Sequence, residues 1–176
     1  GEGAAFVRLE TQQTVNSFAE FLADGWSCDA FHVTAPAPQG DEAERAMRAA
    51  LREAGLAAGA IDCLIAHGTG TRMNDEIEAA TIARVFGSAP EGPWVVAPKA
   101  HLGHGGGASG AFNFLVGALI ARHQVLPPAL FLDAQDFPEL RLNRGPAKSV
   151  AVQNVMVNSY GFGGNNISAV LSGSRP

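Results

Sequence analysis

The sequence predicts an α/β fold built in layers, with helices packed over a sheet. Short apolar runs alternate with amphipathic stretches of helical period, and glycines gather where the runs end. Apolar residues make up 47% of the 176 and charged residues 16%, a globular balance and not a disordered one. One domain with a substantial core fits that length.

Taken in order, "AAFVRLE" (Ala4 to Glu10) reads as a strand. "VNSFAEFLADG", from Val15, has helical character, and "APAPQG" after it is loop. Asp41 to Gly55 is the clearest helix. Ala46, Met47, Ala50 and Leu51 share a face, acids fill the first turn, and Gly55 serves as the C′ cap. "IDCLIAH" (Ile61 to His67) is a buried strand that delivers "HGTGT" at its end. Asn74 to Gly87 is a second amphipathic helix, with Asn74 as N-cap and Ile77, Ile82, Val85 and Phe86 apolar. "WVVAP" is a short strand stopped by Pro98, and a glycine cluster then leads into a helix reaching about His123. Prolines 127, 128 and 138 keep the next stretch irregular. Val150 to Asn158 and Asn166 to Leu171 close the chain as two strands joined by a glycine-rich turn.

Several function classes are disfavoured. A net charge of −5 with no Lys/Arg run argues against nucleic acid as a partner. Cys28 and Cys63 form no CxxC pattern, so neither a zinc site nor a disulfide framework is indicated, and a reduced, cytoplasmic setting fits. The charge-free run from Gly105 to Ala121 is too short and too rich in glycine to span a membrane. The opening "GEGAAFVRLE" lacks the pattern of a signal peptide.

Chemistry concentrates in "AHGTGT" with His67, "PKAHLGH" with Lys99 and His104, and "NSYGFGGNN" with Phe162. In a layered α/β fold such strand ends converge on one rim. Singly, each has a bland reading: a histidine after a strand caps or packs, and "GHGGGASG" lacks the G-K-[ST] ending of a phosphate-binding loop. The ordered set is far more specific. HGTGT, a lysine 32 residues later, a Gly-His five residues beyond it and then NSYGFGGNN resemble the β-ketoacyl-(acyl carrier protein) synthases of the thiolase superfamily. "GEGA" and "DAFHVTAP" (Asp29 to Pro36) add to the likeness.

The resemblance implies a thiolase-like mixed sheet covered by helices, forming the C-terminal portion of a larger two-half fold. Residues 1–10 would belong with the other half, and residues 11–176 would form the C-terminal ketosynthase domain. It implies a decarboxylative Claisen condensation of an acyl thioester with malonyl on a carrier protein. His67 and His104 match the two imidazoles that stabilise the enolate, in the elongating class, and Lys99 matches the lysine behind His104. Thr69 and Thr71 match hydroxyls touching a phosphopantetheine arm. Phe162 matches a gate residue, with Gly161, Gly163 and Gly164 letting its loop move. Asp75 and Glu78 match an acidic pair that holds loops, and His101 is given no role. No tightly bound cofactor and no metal is implied, only phosphopantetheine-linked substrates. The implied partners are acyl carrier protein and either a second copy of the chain or a chain supplying the other half.

That chemistry also needs a nucleophilic cysteine, which neither Cys63 in its buried strand nor Cys28 matches, so the chain alone is expected to be inactive. Two alternatives stand beside this reading: a non-catalytic partner similar to a chain-length factor, and a generic α/β ligand-binding domain with structural histidines.

Overall fold

The structure, a computed structural model, describes residues 1–12, 14 and 16–173. Val15, where the second sequence stretch begins, and the last three residues of the 11–176 range lie outside the described residues. The elements are β1 (Ala19–Cys28), α1 (Asp41–Ala54), β2 (Cys63–Ile65), α2 (Arg72–Phe86), β3 (Trp94–Val96), α3 (Lys99–Leu102) and α4 (Ser109–His123). After them come β4 (Val125–Leu126), β5 (Arg141–Leu142), β6 (Lys148–Ser149), β7 (Asn154–Gly161) and β8 (Asn165–Gly173).

Six strands make one mixed sheet in the order β1-β8-β7-β2-β3-β5. β7, β2, β3 and β5 run parallel, while β8 pairs antiparallel with both β7 and β1. The β7–β8 hairpin places the glycine-rich turn beside the carboxyl ends of β2 and β3, where parallel-strand sheets carry their sites. β4 and β6 form a separate small ladder.

Apolar side chains fill both faces. On one, Met47 and Leu51 of α1 and Ile82 and Val85 of α2 pack on Leu64, Val95, Met156 and Val170. On the other, Ala118, Ile120 and Ala121 of α4 cover Ile65, Val96, Val155, Val157 and Leu171. α1 ends as its sequence indicates, with Gly55 left-handed at φ 67° and its N–H on the Leu51 and Arg52 carbonyls.

Three expectations need correction. Residues 4–10 form no strand here: none of the described strands pairs with them, and Phe6 and Leu9 stand 92% and 77% exposed. An extended segment without a ladder partner has its backbone bonded only to water. The stretch read as helical is β1, because β8 offers it a full antiparallel register from Ala19↔Gly173 to Cys28↔Asn165. Tertiary pairing overrides the local pattern there. Helix α2 begins at Arg72, so Asn74 sits in its first turn, with its side-chain amide donating to Asp75 and Glu78, and does not cap it.

Candidate active site

His67 lies two residues beyond β2, and its side chain is buried. Its backbone N–H and C=O and its ring Nδ1 each have a partner. Its backbone N–H donates to Glu78 Oε1 at 2.8 Å, and the next N–H, of Gly68, donates to Glu78 Oε2 at 2.8 Å. Its carbonyl accepts from Lys99 Nζ. Its ring Nδ1 accepts the Tyr160 backbone N–H at 3.2 Å, and the Tyr160 ring lies against it with centroids 5.2 Å apart.

Because Nδ1 is an acceptor, the proton of a neutral His67 ring sits on Nε2. Neutral is the form the site favours. Burial, then the Lys99 charge, then His104 lower its pKa to about 3.

His104 follows the same pattern from a different element. Its Nδ1 accepts the Gly106 N–H at 3.0 Å and lies 3.4 Å from Ser109 Oγ, so its Nε2 also carries the proton. The two imidazoles meet edge to face, with centroids 6.2 Å apart and planes at 89°. The glycine cluster supplies the tight 3₁₀ turn at 106–108 that brings this N–H back onto the ring and starts α4 at Ser109.

Lys99 is buried on α3, and its ammonium donates to the His67 carbonyl. Burial lowers its pKa, opposed by Glu78 and Asp75. Burial raises the Glu78 pKa against the pull of its backbone donors and Asn158. Thr69 and Thr71 bond each other through their hydroxyls at 2.8 Å on the loop outside.

Phe162, at the tip of the β7–β8 hairpin, is 77% exposed. The turn beneath it is clasped by the "DAFHVTAP" loop, with Gly163 N–H on the Val33 carbonyl and Asp29 N–H on the Gly164 carbonyl, both at 2.7 Å. A Cβ on Gly164 would sit 1.7 Å from the Asp29 carbonyl oxygen, so only glycine fits this crossing. Gly161 pairs with Asn165 at the base of the turn.

Sequence reasoning missed three members of the site. Tyr160 holds the His67 ring. Asn113 donates to the Ala66 and Asn158 carbonyls at 2.9 and 3.1 Å, tying α4 to the ends of β2 and β7. Asn158 donates to Glu78 at 3.2 Å and accepts from Ser168 at 2.8 Å. The available signal was an asparagine inside an otherwise apolar helix.

Cys63 is fully buried in β2, which raises its pKa above the ordinary thiol range, and Cys28 is exposed beside the Gly163 carbonyl. Among the described residues no group of three or more His, Cys, Asp or Glu is placed to hold a metal. None of the helices described is long and apolar enough to cross a membrane.

Residues 18–133 match the family model described as beta-ketoacyl synthase, C-terminal domain. The chain belongs to the β-ketoacyl synthase family. Within it, the chain is 38% identical over 178 residues to the 3-oxoacyl-[acyl-carrier-protein] synthase 2 of Rhizobium meliloti, covering 97% of this chain and 42% of that protein. A synthase 2 of Mycobacterium bovis is also 38% identical, with 96% and 41% covered. Solved structures agree on a thiolase-like ketosynthase fold. The ishigamide ketosynthase/chain length factor superposes with a TM-score of 0.82 at 38% identity, over 90% of this chain and 38% of that one. A β-ketoacyl synthase from Burkholderia phymatum gives 0.82 at 32% identity over the same shares. The chain thus spans less than half the length of these ketosynthases.

Proposed function

We propose that this chain supplies the enolate-stabilising half of a 3-oxoacyl-(acyl carrier protein) synthase site. The observation that carries this is the pair of imidazoles, each with Nδ1 occupied by a backbone N–H and Nε2–H left as donor. Loss of CO2 from a malonyl thioester leaves negative charge on the thioester oxygen. Two fixed N–H donors at that oxygen stabilise the charge as it develops, with no reorganisation. The low pKa of His67 keeps it a neutral donor at any physiological pH.

In this reading Lys99 and Glu78 position the His67 backbone, and burial, aided by the Lys99 charge, keeps the ring unprotonated. Thr69 and Thr71 meet the phosphopantetheine arm of acyl and malonyl carrier protein, and no tightly bound cofactor takes part. Phe162 gates the acyl entrance, on the turn of Gly161, Gly163 and Gly164. The acyl nucleophile is a cysteine of polypeptide outside this sequence, since Cys63 is enclosed by the core and Cys28 lies on the outer strand β1. Residues 1–10 pack against that nucleophile-bearing half, residues 11–176 form the C-terminal domain, and the assembly is completed by a homodimer or a partner chain. The chain alone does not condense substrates.

The test replaces His67 or His104 by Ala in the assembly containing the nucleophile and follows CO2 release from malonyl carrier protein. Removing one donor is expected to slow decarboxylation by about 10²–10³-fold. Unchanged release would eliminate the mechanism. It would favour a second reading, a chain-length-factor-like partner, which ketosynthase/chain length factor relatives among the solved structures bring into view. Retention of His67, Lys99 and His104 favours the catalytic reading.

A further inference from the structure

Successive side chains of β7 alternate between the two faces of the sheet, so Tyr160 shares a face with Met156 and Asn158. That face is the one α1 and α2 cover: Met156 packs in their core, and Asn158 meets Met47 Sδ and Glu78. The Tyr160 hydroxyl is buried there and has no hydrogen-bond partner among the described residues.

Burial, then the Glu78 charge, raise its pKa against the pull of Asn158, so it stays a phenol with a proton to donate. Asn158 stands beside it but is occupied. Its amide donates to Glu78 at 3.2 Å and to Met47 Sδ at 3.6 Å, and its oxygen accepts from Ser168. A buried O–H left unbonded is costly, so the hydroxyl calls for an acceptor that is not protein.

A cavity of about 20 Å³ lies at this end of the layer, with Tyr160 among its walls. Holding one water takes roughly 10–15 Å³, so a single non-hydrogen atom fits and a larger ligand does not.

The other polar walls are rich in acceptors. Asn74 and Asn166 spend their amide N–H groups on Asp75, Glu78 and the Gly164 carbonyl, and their side-chain oxygens accept nothing among the described residues. Asp29 and Glu78 accept backbone N–H groups and have lone pairs left over.

These needs select the occupant. A metal or ammonium ion would satisfy the oxygens and leave the phenolic proton stranded. A halide would take that proton and face two carboxyl groups. Water does both, accepting one proton and donating two.

We propose that this cavity is a binding site for one ordered water, which accepts the Tyr160 O–H and donates to wall oxygens of α2 and the β7–β8 hairpin. It thereby braces the ring that lies against His67. The proposal goes beyond the condensation reading and does not depend on it.

The test pairs a crystal structure of the full assembly containing the chain, at a resolution that shows ordered water, with the variant Tyr160→Phe. The expected density is one water about 2.7–2.8 Å from Tyr160 Oη, with a second contact to Asn74, Asn166, Asp29 or Glu78. Tyr160→Phe should lower the urea midpoint of the assembly, because it removes a hydrogen bond that is made. A hydroxyl without any partner gives the opposite sign, since deleting an orphaned donor leaves the midpoint unchanged or raises it. A midpoint that does not fall overturns the proposal. So does a structure with Tyr160 Oη bonded directly to protein, with an ion in the cavity, or with no density there.

Discussion

His67 is held through its N–H, its C=O, its Nδ1 and its ring face, and each hold sets one property of the residue. Glu78 carries the largest share, because it satisfies two buried or half-buried backbone donors at once. Glu78→Ala is expected to cost about 3 kcal/mol, from stranded N–H groups at about 1–3 kcal/mol each, read as a lower urea midpoint. A loss under about 0.5 kcal/mol would show that the HGTGT loop is held by other means. The depressed pKa of His67 makes a second prediction. Between about pH 6.5 and about pH 3 the unfolded chain binds a proton there that the folded chain refuses, so stability falls as pH drops through that window. Glu78, with its raised pKa, works in the opposite sense: its contribution is present at acid pH and lost as pH rises. The His67 part is isolated by comparison with His67→Asn. The variant should lose less stability on acidification, by up to about 1.4 kcal/mol per pH unit. Parallel slopes would refute the buried neutral ring.

β1 and α4 show how an element can depart from its sequence pattern. β1 alternates Ala23, Gly25 and Ser27 inward with Asp24, Trp26 and Cys28 outward, over a bulge between Phe21 and Ala23. α1 crosses it at Gly25, where an added Cβ would stand 2.2 Å from the Ala46 carbonyl oxygen and 2.4 Å from the Ala50 nitrogen. Gly25→Ala must push α1 off the sheet, since backbone atoms cannot give way as a flexible side chain can. It should destabilise by roughly 1–3 kcal/mol or more, the range of overpacked cores, measured as a fall in the urea midpoint. An unchanged midpoint would mean that the helix–sheet spacing is not tightly set. α4 is apolar on nearly every side, and its one buried asparagine ties the two strand ends that flank the site.

At the scale of the whole molecule, a helix that is apolar all round is normally enclosed, and here α4 leaves Leu119 exposed. Phe6, Leu9, Phe18 and Phe131 are exposed as well. Large apolar side chains exposed to this degree mark an interaction surface where they are contiguous. In the proposed function these side chains pack against the polypeptide that carries the nucleophile. On that proposal the isolated chain should bind an apolar fluorescent dye strongly, with the signal dropping severalfold in the assembly that the proposal describes. A weak signal from the isolated chain would mean that its exposed apolar residues do not form a continuous surface.

The sequence by itself determined the elements that rest on local chemistry. α1 follows from its apolar stripe, acidic first turn and Gly55, while the order and spacing of HGTGT, Lys99, His104 and the glycine turn marked the family. Only the tertiary structure decided the rest. β1 is a strand because β8 pairs with it, and residues 4–10 are not because nothing does. Tyr160 finds the Nδ1 of His67 across 93 positions, and Lys99 finds its carbonyl across 32. Backbone hydrogen bonds between distant segments leave no mark in side-chain periodicity. They are made by whichever main-chain groups the packed sheet brings together, and here those groups fix which ring nitrogen of each histidine is the acceptor.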